Sequence, residues 1–259
     1  MIKEILKDRF KELCDDYGLI ALKFGTEYEE MDFKQMEYII NLTGGDIPIY
    51  VKIGGVDARN DINNLLKLGL KNFIAPMVES PYALKNFITT LKEMTGNLYP
   101  FIKKGINIET IYAFYNLNSI ITTPYFDELN QVTLARSDFS RSINCNPDDD
   151  EVYNYMISMR YRDKLLNKTV IVGGTITPRN SIDIVKRIKP DRIDTRIFVI
   201  DATNPVLISH SVKKCLELER DLYLKMNEIF TFRPGFINTL ISRIESRLMD
   251  LPLAYSSLK

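Results

Sequence analysis

Apolar residues in this chain come in short, nearly continuous runs, separated by stretches in which they recur every three to four positions. The runs are LIALKF (19–24), IPIYVKI (47–53), NFIAPMV (72–78), YPFIKKGINI (99–108), QVTLARS (131–137), TVIVGG (169–174) and RIDTRIFVI (192–200). A strand with one wet face alternates apolar and polar residues. These runs do not, as expected of strands buried on both faces in a parallel sheet. Between them the helical period is clear. In 57–68, Ala58, Ile62, Leu65 and Leu66 recur at helical spacing, and Gly69 follows as a C-terminal stop. Similar helices are predicted at 29–43, 81–94, 109–120, 148–165 and 178–188.

Strand–helix alternation with short connections predicts an α/β fold: a TIM (β/α)8-type barrel with an extra C-terminal helical segment. One barrel domain over 1–259 is expected, with an N-terminal helix in 1–17, the barrel core over 18–201 and C-terminal helices over 202–259. Seven strands are legible, so the eighth is either missing or hidden near the N-terminus, and an open doubly wound sheet is the alternative. The tail reads as helices 203–231 and 234–250 separated by FRPG (Phe232 to Gly235). It is expected to cover the barrel bottom or to pack on a second subunit, making a homo-oligomer. The acidic DDDE at 148–151 reads as a helix N-terminus stabilised by the dipole, not as a metal site.

Composition narrows the function classes. With 259 residues and 45% hydrophobic content the chain can bury a large core. Its 34 basic and 34 acidic residues balance, and no basic stripe is interleaved with aromatics, so neither nucleic acid nor a membrane is an expected partner. Cys14, Cys145 and Cys215 have no metal-binding spacing and suit reduced thiols in the cytoplasm. The N-terminal MIKEILKDRFKEL is amphipathic and lacks the apolar centre of a signal peptide.

Chemistry in a parallel barrel sits where strands end, because several strands can aim side chains at one point there. The polar residues at those ends are Lys23 and Glu27, Lys52 with Gly54 and Gly55, Glu79, Asn107 and Glu109, Arg136 and Asp138, Gly173 and Gly174, and Arg196. Each has a structural alternative. Glu79 and Glu109 suit the first turn of a following helix, and for Glu79 the Pro81 two residues on makes this the leading reading. Asp138 could cap a loop, the lysines could pair with acids, and the glycines could simply open turns. Several strands ending in charge is nevertheless costly for a purely structural core. Glu109 and Asp138, in GINIET and LARSDFS, are the candidate metal ligands. Two carboxylates with water and substrate oxygens suit Mg2+ or Mn2+. The one histidine, His210, lies in the helical tail and is not a catalytic candidate.

From Gly18 to Asp201 these motifs resemble the HpcH/HpaI aldolase and citrate lyase beta-subunit family, barrels of the phosphoenolpyruvate/pyruvate type. NIET (107–110) resembles that family's strand end with the metal-binding glutamate, and ARSDFSRSI (135–143) its segment with the metal-binding aspartate. VKIGG (51–55) and APMVESPYALKNF (75–87) resemble the anion-facing strand and the Pro-Met motif after it. The resemblance implies a metal-dependent carbon–carbon lyase or aldolase acting on a small 2-oxo acid or acyl thioester through its enolate. Lys52 stands where the family usually has arginine, and the loop KFGTEYEE lacks the histidine that aldolases of the group often use. Lys52, Glu27, Lys23 and Arg136 are therefore the expected catalytic set, with Glu27 the nearest base. Asn107, Gly54, Gly55, Glu79, Arg196, Gly173 and Gly174 are the expected substrate-binding set. The cations Lys23, Lys52, Arg136 and Arg196 would suit a dicarboxylate or phosphorylated acid. Two other readings stay open: a Schiff-base lysine aldolase, and a non-catalytic barrel used for binding or assembly.

Overall fold

The computed structural model describes residues 2–27, 30–233 and 235–252. Its strands close into one barrel in chain order: β1 (Leu19–Gly25), β2 (Ile49–Lys52), β3 (Asn72–Ala75), β4 (Lys103–Ile108), β5 (Gln131–Ala135), β6 (Thr169–Gly173), β7 (Arg192–Asp194) and β8 (Phe198–Asp201). Helices cover the outside. α1 (Ile2–Asp16) precedes β1, and α2 (Phe33–Thr43), α3 (Arg59–Lys67) and α4 (Pro81–Thr95) follow the first three strands. After β4 come three short helices, α5 (Ile111–Tyr115), α6 (Leu117–Ile121) and α7 (Pro124–Asp127). After β5 come α8 (Arg136–Ser142), α9 (Asp150–Arg160) and α10 (Asp163–Leu166), and after β6 comes α11 (Asn180–Ile188). The tail forms α12 (Ile208–Ile229) and α13 (Phe236–Met249).

Local sequence accounts for the helix ends. Asp32 and Gln35 form a reciprocal capping box at the start of α2. Ser80 caps α4 ahead of Pro81, so that cap belongs to Ser80 and leaves Glu79 outside the helix. At the end of α3, Gly69 adopts φ +78°, its N–H bonding Leu66 O while Leu70 N–H bonds Leu65 O. This is the paired termination motif that a left-handed residue permits.

The eighth strand is not near the N-terminus. RIDTRIFVI, read as one strand, folds back on itself: β7 and β8 pair antiparallel around Thr195–Ile197, and β8 closes the barrel antiparallel to β1. The other six strand pairs are parallel. No glycine or proline marks the turn, so a period-two pattern cannot distinguish one long strand from two short ones here. QVTLARS is also shorter than expected, because α8 begins at Arg136.

With no helix between β7 and β8, one stretch of outer wall lacks its cover. α12 supplies it, packing on β8 between α1 and α11 through residues such as Val212, Leu216 and Leu222. The tail therefore covers the barrel wall. α13 packs along α12 and is tied to the hairpin by a buried network. Arg247 on α13 pairs with Glu219 on α12 at 3.1 Å and donates to Thr195 O, while the Thr195 hydroxyl donates to Glu219 at 2.9 Å. Among the described residues no helix is long and apolar enough to cross a membrane.

Candidate active site

Strand alternation sorts the barrel's side chains into two sets. Leu22, Phe24, Val51, Phe73, Ile106, Val132, Leu134, Val172 and Ile193 face the helices and join the main apolar core. Their neighbours face the lumen. Barrel interiors are usually filled by bulky branched residues in layers of four from alternate strands. This lumen carries Lys23, Lys52, Asn107, Thr133 and Asp194 alongside Tyr50, Ile74, Gln131 and Ile171, with the small residues Ala21, Gly25, Gly105, Ala135 and Gly173 between them.

Glu109 stands at the upper end of β4 and is 3% exposed. Its two oxygens are held separately: Met77 N–H donates to Oε1 at 2.7 Å and Asn107 Nδ2 to Oε2 at 3.2 Å. Met77 reaches that position with φ +51°, an uncommon conformation for a non-glycine residue, of the kind found at functional sites. Burial pushes the Glu109 carboxyl above its ordinary value. The Met77 N–H and the Lys52 charge pull it down, and the Asp138 charge pushes it up. Asp138 lies in the first turn of α8, whose last residue, Ser142, accepts at Oγ from Ile111 N–H at the start of α5. Its side chain, 48% exposed, meets Arg141 at 2.5 Å. Both partners are exposed, and such a pair contributes little and is readily exchanged for another cation.

The two lumen lysines are ion-paired. Lys52 meets Glu27 at 2.9 Å, and Lys23 meets Asp194 Oδ1 at 2.9 Å. The second pair is deep, with Asp194 almost enclosed. Gly173 makes room for it: a Cβ there would lie 2.5 Å from Asp194 Oδ1.

Arg136 departs from its expected catalytic role. It is fully buried, and its guanidinium donates to Asp148 Oδ1 at 2.8 Å, Gly174 O at 2.9 Å and Pro147 O at 3.1 Å. It fastens the loops after β5 and β6 to each other. Gly174 belongs to the same joint: with φ +91°, it lets the backbone pass so close to Ser137 that a Cβ would lie 2.5 Å from Ser137 N. Asp148, in the acidic stretch, accepts from Arg136 and Asn180, whereas Asp150 and Glu151 occupy the first turn of α9 as the dipole favours. Gly54 also differs from expectation as a substrate contact, since its N–H is engaged by Asp61 at 2.8 Å. The same Asp61 oxygen accepts from Thr26 at 2.5 Å, and Thr26 N–H bonds Lys52 O, so these bonds join the β1 and β2 loops. Gly55 follows in that loop, with nothing within 4 Å of a Cβ. The Glu79 carboxylate accepts from the Thr110 hydroxyl beside Glu109. Arg196 sits half-buried in the β7–β8 turn.

Two lumen residues escaped the reading of strand ends. Asp194 carried a signal, being an acid within an apolar run, the same mark that singled out Lys23 and Lys52. Thr133 carried none, because a threonine in a strand is ordinary.

No protein-family model and no curated protein matches the chain. Solved structures do match. An HpcH/HpaI aldolase/citrate lyase family protein from Burkholderia cenocepacia J2315 aligns with a TM-score of 0.55 at 11% identity, covering 73% of this chain and 89% of that one. Citrate synthase SbnG aligns with a TM-score of 0.54 at 17% identity over 71% of this chain and 76% of its own. The HpcH/HpaI aldolase from Desulfitobacterium hafniense DCB-2 gives a TM-score of 0.54 at 13% identity, covering 71% and 78%. A mixed eight-stranded closure, a helical tail along its wall and these alignments together establish that the chain has the barrel fold of the HpcH/HpaI aldolase and citrate lyase structures.

Proposed function

We propose that this chain is a divalent-metal-dependent carbon–carbon lyase acting on a small 2-oxo acid, with Glu109 and Asp138 as the metal ligands. The observation that carries the reading is Glu109: a buried carboxylate whose oxygens are each oriented by one fixed donor, close enough to Asp138 to feel its charge. A second anion beside a buried carboxylate is an arrangement that a divalent cation relieves. Among the described residues no group of three or more His, Cys, Asp or Glu side chains converges. A metal at this place would therefore rest on two carboxylates plus substrate and water oxygens, as magnesium and manganese sites commonly do. Such an ion supplies charge stabilisation to the oxygen of a developing enolate.

The chain's own groups have separate tasks in this reading. Met77 N–H and Asn107 orient Glu109. Lys52, held by Glu27, faces the same strand ends and offers its charge to a substrate carboxylate, and Glu27 stands beside it as the candidate base. Lys23 is engaged by Asp194 and Lys52 by Glu27, so each amine already has a carboxylate partner, which opposes the Schiff-base route. It also cancels most of the cationic surplus that pointed to a doubly anionic substrate. The structural neighbours named as aldolases and as a citrate synthase support a carbon–carbon bond reaction.

The test is acceptor-independent. With Mn2+ or Mg2+ present, the protein should exchange the methyl protons of pyruvate in D2O, followed by NMR, and a chelator should stop it. Glu109→Gln should abolish exchange and weaken Mn2+ binding by at least about 100-fold in calorimetry, because even residues that only support a ligand contribute 10–100-fold. Unchanged Mn2+ affinity in Glu109→Gln and Asp138→Asn would overturn the reading.

A further inference from the structure

Charges that balance along the chain do not balance around the barrel. β1 to β7 run parallel and β8 runs against them, so the end of the barrel opposite Glu109 gathers the starts of seven strands and the end of the eighth. No step above uses this end. In the closed order β8, β1 and β2 are neighbours, and their loops here (201–207, 15–18 and 43–48) carry acids and no base. Asp15, Asp16 and Asp46 are exposed and Asp201 is partly so. The sector from β3 to β7 has the opposite sign. Lys71, Lys103 and Lys189 are exposed there and Arg162 is partly so. Three acids of that sector, Asp127, Glu128 and Asp191, are already held by Lys164, Lys92 and Arg160. Each sector is continuous: Asp201 N–H bonds Gly18 O in the first, and Arg160 donates to Lys189 O in the second. Both also expose apolar side chains. Val206, 84% exposed, and Leu207 follow β8, Phe101, 69% exposed, precedes β4, and Tyr161 and Leu166 precede β6. Exposed apolar side chains gathered on one face mark a contact surface.

An end face with one acidic and one basic sector is complementary to itself, as a symmetric contact between identical surfaces requires. A nucleic acid or an anionic membrane carries one sign of charge and would be repelled by the acidic sector. We infer that two copies of the chain pair end to end through this face. With eight strands spaced around the barrel, a two-fold axis lying across the face at β3 and β7 sets the β2 end opposite β4 and the β8 end opposite β6. Asp46 then meets the second copy's Lys103, and Asp201 meets its Arg162. Val206 and Leu207 come opposite Tyr161 and Leu166, so the exposed apolar side chains cover one another. Lys71 and Lys189 lie near the axis at the rim, where salt screens the meeting of like charges. Pairing of this kind leaves the opposite end, with Glu109, open, and it stands independently of the lyase reading.

Analytical ultracentrifugation of the whole protein tests the pairing. The unaltered chain should sediment at twice its 30.0 kDa, with a micromolar or tighter dissociation constant. Asp46→Lys and Lys103→Glu each turn two attractive meetings per dimer into repulsive ones, and each should weaken the dimer at least about tenfold. Carried together in one chain, the two changes restore opposite signs across the contact and should recover the dimer. Neither misfolding nor a contact through the tail helices would produce that recovery. Unaltered protein that stays monomeric up to about 100 µM overturns the inference. So does a dimer indifferent to both single reversals, or a double reversal that stays monomeric. A monomer that pellets with vesicles containing phosphatidylserine also overturns it, an anionic surface then being the partner of the basic sector.

Discussion

A guanidinium enclosed from water must find acceptors for its donors or carry a large desolvation penalty. Arg136 finds Asp148 and the carbonyls of Gly174 and Pro147, and those carbonyls have their donor in it. Arg136→Met should therefore lower stability by about 2–4 kcal/mol in urea titration, through unsatisfied carbonyls and lost packing. It should do so with the Mn2+ affinity retained, which separates a joint from a catalytic group. Gly173 is the converse case, a residue whose missing side chain matters. Gly173→Ala drives a Cβ into Asp194, and overpacking of this kind costs about 1–3 kcal/mol. The displaced Asp194 should also lose its ion pair with Lys23. Both roles were hidden because composition and spacing identify a charge or a glycine but not the direction in which it points. For Glu109 and Asn107 the direction was legible, since two residues apart on a strand means one face.

The hairpin of β7 and β8 and the two tail helices behave as one unit. Replacing a strand–helix–strand repeat by an antiparallel return leaves part of the wall uncovered, and α12, which follows β8 after a short loop, covers it. The connection is fastened by Glu219, Arg247 and Thr195, with Glu219 fully buried. Arg247→Met leaves that carboxylate without its cation in a dry place and should cost about 3–5 kcal/mol in chemical denaturation. Glu219→Gln combined with Arg247→Met, removing both charges, should recover much of the loss. A double mutant as unstable as Arg247→Met alone would show that packing, not charge, holds the unit together. The helical period revealed α12 and α13, but their docking place depended on β8 running backwards, for which the sequence carried no turn residue.

Closure of the barrel links these parts into one cooperative body, and Cys215 reports on it. The thiol, on the inner face of α12, is completely buried, and desolvation, with the charge of Glu219, pushes it well above its ordinary value of 9.0. Above that value the unfolded chain ionises while the folded one does not, so stability present at lower pH should decline as pH rises past about 9. In the native state Cys215 should resist alkylation at pH 8 and react at the rate of global unfolding; mass spectrometry of labelled peptides distinguishes it from Cys14 and Cys145, which are partly exposed. Fast labelling of Cys215 in the native protein would mean that α12 detaches on its own. As for what could be read in advance, apolar runs of strand length separated by helical periods demand a parallel sheet covered by helices, because backbone polarity and side-chain burial leave few other arrangements. Strand ends carrying Glu109, Asp138 and Lys52 follow from the same linear pattern. The pairing of Lys23 with Asp194 and the sealing of Arg136 depend on neighbours that different strand–helix units bring together, and the backward eighth strand on a turn without a marker. Such contacts are set by how the closed barrel fits around itself, a property of three-dimensional packing that no local run of residues encodes.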